Sequence, residues 1–154
     1  MEKAEFESRL ESVLIREIEG CSKLVSAERL SGGASQETYR LTALVSGSEQ
    51  LLAMRRSPGG EFTEPLPAKP GMTVEAMLLK CAYDAGVPTP EVYYVLTRED
   101  DLGDAVIMEW LEGEALGARI VRSDQFTDIH PRLAYECGQI LAKIHSVDLQ
   151  QAGL

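Results

Sequence analysis

Cysteine, histidine, aromatic side chains and positive charge are all scarce in this chain. Its 154 residues include three cysteines, Cys21, Cys81 and Cys137, an odd number spread widely along the sequence. That spacing gives neither a disulfide framework nor the paired Cys-x-x-Cys ligands of a zinc site, so buried thiols are expected. The two histidines, His130 and His145, are too few and too far apart to hold a metal, and a lone histidine near a helix end is more often a cap. No chemistry is assigned to either.

Fifteen Lys and Arg stand against 25 Asp and Glu, a formal charge of −10. A surface of that sign repels phosphate backbones unless a basic stripe overrides it, and only Arg55-Arg56 offers one, so no nucleic-acid partner is expected. No apolar run approaches the roughly 20 residues that cross a bilayer, so no membrane partner is expected either. The opening MEKAEFESRLESVLIREIEG carries acids throughout and has no signal-peptide core, and a cytoplasmic location is expected. No internal repeat or low-complexity segment is visible.

What is present is an ordinary globular composition, 44% apolar and 26% charged. At this length about two-thirds of the extended-chain surface should leave water, enough for one domain or one large lobe without disulfides or a structural metal. Phe6, Leu10, Val13, Leu14 and Ile18 recur at helical steps and Gly20 stops them. Strands are expected over 23–30, 38–45 and from Leu51 to Arg56, separated by the small-residue loop SGGASQE and the turn Ser46-Gly47-Ser48. The Pro- and Gly-rich stretch 57–71 should hold no regular structure. From Thr73 a helix is expected, with Val74, Met77, Leu78 and Cys81 on its apolar stripe and Gly86 past its end.

Two further strands are expected, about 91–96 and within AVIMEWL, the second buried on both faces, with REDDLGD between them as a solvated acidic turn. Pro131 then opens a long helix with Leu133, Cys137, Ile140, Leu141 and Ile144 on one stripe. The order of elements contains no run of βαβ crossovers. It predicts an α+β fold with a five-stranded antiparallel sheet and a packed helix, flanked by an N-terminal helix and a long C-terminal helix.

Three segments could carry chemistry. In Ser31-Gly32-Gly33-Ala34-Ser35, small residues let backbone N–H groups approach phosphate oxygens and Ser35 adds a hydroxyl, although a glycine pair between strands is more often only a turn. Arg55 on the third strand and Glu75 on the next helix, just off its apolar stripe, could meet. A guanidinium fixed by a carboxylate would aim charge-assisted hydrogen bonds at a phosphate, whereas a surface ion pair is the plainer reading. Met108-Glu109-Trp110-Leu111-Glu112-Gly113 ends a buried strand on exposed backbone groups, which suit a purine edge or are merely a strand end.

In this order, GGASQETYRL, LLAMRRSPGG, the helix containing Glu75 followed by GVPTPEV, IMEWLEGE and ILAKIHSVDLQQAGL resemble the aminoglycoside phosphotransferase family, which has a protein-kinase-like fold. The resemblance runs from about Leu30 to Leu154. It implies that Gly32, Gly33 and Ser35 cover the phosphates of ATP, that Arg55 anchors them and that Glu75 pairs with Arg55. It further implies that Met108 borders the adenine slot, while the Glu109 carbonyl and the Leu111 amide bind the adenine edge. Two departures stand out: the loop reads GGAS where protein kinases have GxGxxG, and arginine replaces the usual lysine, with Arg56 beside it as a competitor for the role.

The family's catalytic loop, HxDxxxxN, and the acidic magnesium motif beyond it are missing from these residues. His145-Ser146-Val147-Asp148 has one residue too many, and Gly153 stands where the Asn belongs. The resemblance therefore implies an N-terminal portion divided into a helix (1–20), a kinase-like lobe (21–110), and a hinge with the first helices of a second lobe (111–154). ATP, magnesium held elsewhere and an unnamed hydroxyl acceptor are the implied ligands. With its partner lobe missing, the Leu133–Ile144 helix face is expected to pair in a homodimer, and a non-catalytic nucleotide-binding or interaction module of kinase-like fold is the alternative function.

Overall fold

Phe6, Leu10, Val13 and Leu14 form the buried face of helix α1 (Lys3–Glu17) in the computed structural model, which describes residues 2–31, 36–62 and 71–148. Strands β1 (Cys21–Arg29), β2 (Glu37–Val45) and β3 (Ser48–Arg56) follow as an antiparallel meander. Ser46 and Gly47 alone join β2 to β3, both at positive φ (51° and 83°), the two-residue turn whose twist suits a hairpin. Ser48 therefore belongs to β3 rather than to the turn.

β5 (Ala105–Glu109) lies between β3 and β4 (Val92–Val95), giving an all-antiparallel sheet of order β1-β2-β3-β5-β4. The α+β expectation with five strands is met. β5 is interior, and Ala105 to Met108 are buried on both faces. On one face α1 packs over Leu24, Leu41, Leu52, Met54 and Ile107. On the other, helix α2 (Gly71–Asp84) packs Met72 and Ala76 against Val106 and Met108.

The chain divides into two compact units, Met1–Lys80 with Pro90–Trp110, and Cys81–Thr89 with Leu111–Leu154. The second contains the short helix α3 (Gly117–Arg122), which the sequence reading leaves as a connection, and α4 (His130–His145), with Pro131 in its first turn. Within that unit Lys143 Nζ donates to the Gly86 carbonyl at 3.0 Å, and His130 Nε2 lies 2.6 Å from the Ile120 carbonyl oxygen. No residue of α4 is buried, and Leu141 and Ile144 of its apolar stripe are exposed. Among the described residues no helix is long and apolar enough to cross a membrane.

Four expectations change. The buried stripe of α2 is Met72/Ala76/Leu79 rather than Val74/Met77/Leu78/Cys81, because Ala76 fits closely under the sheet, and Glu75 lies within this stripe instead of beside it. Among the described residues of the stretch 57–71, Pro58–Gly60 form a 3-10 turn. Only Cys21 is a buried thiol, for Cys81 is half-buried and Cys137 exposed.

The largest change concerns the acidic turn, which is not simply solvated. Asp100 and Asp104 are buried. Asp100 closes a capping box with Thr97 and accepts hydrogen bonds from Arg16, Tyr94 Oη (3.1 Å) and the Thr97 amide (2.7 Å). Arg9 pairs with Asp101, so two arginines of α1 hold this turn. Gly103, at φ +90°, is required by close approach: a Cβ there would lie 2.2 Å from the Gly60 carbonyl oxygen.

Burial pushes the Asp100 carboxyl up, but the hydrogen bonds from Arg16, the Thr97 amide and Tyr94 outweigh it and hold it below the usual carboxylate range. The folded value thus lies under an unfolded value of about 3.9. The resulting stability is whole above about pH 5 and drains as pH falls through the folded value. Asp100→Asn should cost about 2 kcal/mol in urea unfolding at pH 7, and the gap to the parent should close below about pH 4. Leu10→Ala, at a fully buried position, should cost about 3 kcal/mol, against under about 0.5 kcal/mol for Ile15→Ala on the exposed face of α1.

Candidate functional site

Side chains of an interior strand alternate between two buried faces. Leu52 and Met54 of β3 enter the α1-side core and Ala53 packs on the α2-side core. The same alternation sends Arg55 to the α2 face and Arg56 to the α1 face, and the two arginines have different surroundings.

On the α2 face, Arg55 Nη1 forms an ion pair with Glu75 Oε1, and Arg55 Nη2 donates to Gln36 Oε1. Gln36 Nε2 donates to Glu75 Oε2 at 3.0 Å, closing a ring of three side chains. The elements explain the meeting. Asp104 Oδ2 accepts from the Met72 amide at 3.2 Å, which fixes the first turn of α2, and Glu75 follows at the next inward position. With Arg55 37% and Glu75 24% exposed, the pair is partly screened and adds little to stability. What the ring does is orient a guanidinium, whose five N–H donors exceed the two acceptors it meets among the described residues.

On the α1 face, Arg56 is committed to packing. Its Nε donates to the Leu102 carbonyl at 2.6 Å, its Nη1 to Glu37 Oε2 at 3.1 Å, and its guanidinium lies 5.3 Å from the Phe6 ring centroid. Glu37 also pairs with Arg29 at 3.1 Å and accepts from Tyr39 Oη at 3.2 Å and the Gly59 amide at 3.4 Å. Burial pushes the Glu37 carboxyl up, yet the Gly59 hydrogen bond and the Arg29 and Arg56 charges prevail and keep it below its ordinary range. Burial and the Glu37 charge raise the Tyr39 hydroxyl. A cleft of about 820 Å³ opens on this face beside Lys3, Phe6, Ala27, Arg29, Tyr39 and Arg56, but both arginines are already paired with Glu37 and the exposed Lys3 with Glu7 at 3.5 Å.

The remaining expected residues fall as follows. Gly32, Gly33 and Ser35 lie outside the described residues. Met108 is buried on the α2 face, opposite Ala53, while Val106 stands opposite Arg55, so Met108 and Arg55 share a face about 7 Å apart along the strands. Glu109 ends β5, its amide donating to the Glu91 carbonyl at 2.8 Å and its carboxylate accepting from the Glu91 amide at 3.2 Å. Leu111 is exposed and belongs to the second unit. Sequence reasoning passes over Gln36, although it is the one amide between the glycines and β2 and the residue type able to bond a cation and an anion together.

Among the described residues no group of three or more His, Cys, Asp or Glu could hold a metal ion. The two arginines should separate cleanly in urea unfolding. Arg56→Ala removes a packed, 13% exposed side chain and leaves Glu37 short of a partner, at a cost of about 2–3 kcal/mol; Arg55→Ala should cost under about 1 kcal/mol.

No curated protein matches the chain. The pattern that defines the phosphotransferase enzyme family, APH, matches residues 26–154, from the end of β1 through α4, and bears out the resemblance read from the motifs. The chain belongs to the phosphotransferase enzyme family.

Proposed function

We propose that residues 21–110 are the ATP-binding lobe of a small-molecule kinase of the aminoglycoside phosphotransferase type, with 1–20 as a packing helix and 111–154 as the hinge and first helices of the catalytic half. The ring of Arg55, Glu75 and Gln36 carries this reading, because a guanidinium held by a helix carboxylate presents fixed, charge-assisted donors suited to phosphate oxygens. Gly32, Gly33 and Ser35 directly precede Gln36 in the chain and would cover the same phosphates. Met108 would border the adenine, with the Glu109 carbonyl and the Leu111 amide at its edge. Arg56, engaged on the other face, takes no part.

The reaction class is transfer of the γ-phosphate of ATP to a hydroxyl. Such transfer needs an Asp to orient the acceptor and carboxylates to hold magnesium, and the sequence contains no HxDxxxxN. Those groups are assigned outside these 154 residues, so this chain binds nucleotide and does not transfer phosphate by itself. The residues present fit the anionic phosphates through Arg55, and among the described residues no group of three or more His, Cys, Asp or Glu could hold magnesium.

The missing motif also favours a second reading, a nucleotide-binding or interaction module whose α4 stripe, Leu133 to Ile144, with Leu141 and Ile144 exposed, packs on a second copy or another chain. A coding sequence that continues beyond Leu154 into HxDxxxxN selects the kinase, and a stop codon there selects the module. For nucleotide binding itself, calorimetric titration with ATP should show Arg55→Leu and Glu75→Gln each weakening binding at least about ten-fold, with thermal midpoints nearly unchanged. Equal ATP affinity in the parent and Arg55→Leu would contradict the reading.

A further inference from the structure

Arginine and glutamate left to themselves favour a bidentate pair, two parallel N–H···O bonds that use one whole edge of the guanidinium. That is not the arrangement here. Glu75 offers Oε1 to Arg55 Nη1, while its Oε2 accepts from Gln36 Nε2 at 3.0 Å, and Arg55 Nη2 donates to Gln36 Oε1. The amide thus stands between the two charges and divides the guanidinium edge between two acceptors.

We propose that Gln36 is a positioning residue that keeps Arg55 out of a bidentate pair with Glu75 and so holds the guanidinium turned toward nucleotide phosphate; this rests on the reading of Arg55 as the phosphate-facing group.

The residue type follows from the two contacts. A carboxylate at position 36 would repel Glu75, a cation would repel Arg55, and an apolar side chain would satisfy neither. Asparagine is one methylene shorter and cannot span both partners. A lysine at position 55 would bring a single nitrogen that Glu75 alone could engage, so the amide at 36 and the arginine at 55 form a matched pair. Gln36 lies where the chain enters β2, so its backbone is anchored by the sheet immediately after it.

Two readouts on the 154-residue chain test this. The first is the Arg55 Nε–H resonance in ¹⁵N spectra without nucleotide, in the parent, Gln36→Leu and Gln36→Asn. The second is calorimetric affinity for ATP and for adenosine, with Arg55→Lys and the Gln36→Leu/Arg55→Lys double variant added. The Arg55 signal should move in both Gln36 variants. ATP affinity should fall roughly ten-fold while adenosine affinity holds, a split that general loosening of the fold would not produce. The double variant should bind ATP no more weakly than Arg55→Lys alone.

Unchanged ATP affinity in both Gln36 variants, or losses that multiply in the double variant, would overturn the proposal. A parent chain that binds neither ATP nor adenosine refutes the nucleotide reading and, with it, the phosphate part of this one. The resonance then still decides the rest: a moved signal upholds Gln36 as the residue that sets Arg55, and an unmoved one ends that claim as well.

Discussion

Residues 52–56 of β3 and its neighbour β5, lying between the two helices, impose the constraint on which the rest of this molecule depends. Along residues 52–56 of β3 and along β5, adjacent side chains must go to opposite faces, toward the α1 core or the α2 core. Leu52, Met54 and Ile107 are committed to the larger core under α1, so the Arg55-Arg56 pair is divided between the faces with no freedom of choice. One arginine becomes part of the packing on Phe6 and Glu37, and the other is left to meet a helix carboxylate. A one-residue slip of β3 would exchange their roles and turn Leu52 and Met54 away from the α1 core.

The supports of this arrangement are mostly acidic residues doing structural work. Asp100 receives α1 through Arg16, and Asp104 fixes the first turn of α2 through the Met72 amide. Glu37 gathers Arg29, Arg56, Tyr39 and the Gly59 amide at the start of β2. Each carboxylate joins elements distant in sequence, and for Asp100 and Glu37 the donors outweigh the effect of burial and hold the carboxyl below its ordinary range. The sheet then carries a rigid polar ring on the α2 face, where Gln36, Arg55 and Glu75 come from three separate segments.

Much of this was legible from residue patterns. Helical periodicity marked α1 and α4, β-forming runs marked the five strands, and the order of motifs pointed to the family. What escaped did so for physical reasons. The stripe of α2 is ambiguous because Val74, Met77 and Leu78 are as apolar as Met72 and Leu79, and only the depth of the sheet favours a small Ala76 at the contact. Asp104 is unremarkable locally because its partner, the Met72 amide, lies 32 residues away. Asp100 carried a local signal in Thr97-x-x-Asp100, a capping-box spacing, that its acidic neighbours obscured. Gln36 looked like loop because its meaning depends on two distant side chains.

The central claim is that strand alternation, not the mere presence of two adjacent arginines, assigns one guanidinium to phosphate and the other to the core. Following the Nε–H resonances of Arg55 and Arg56 together during an ATP titration tests it most directly. The account predicts a saturable shift of the Arg55 signal while that of Arg56 stays in place. A titration in which Arg56 responds and Arg55 does not, or in which ATP binds and moves neither, would contradict it.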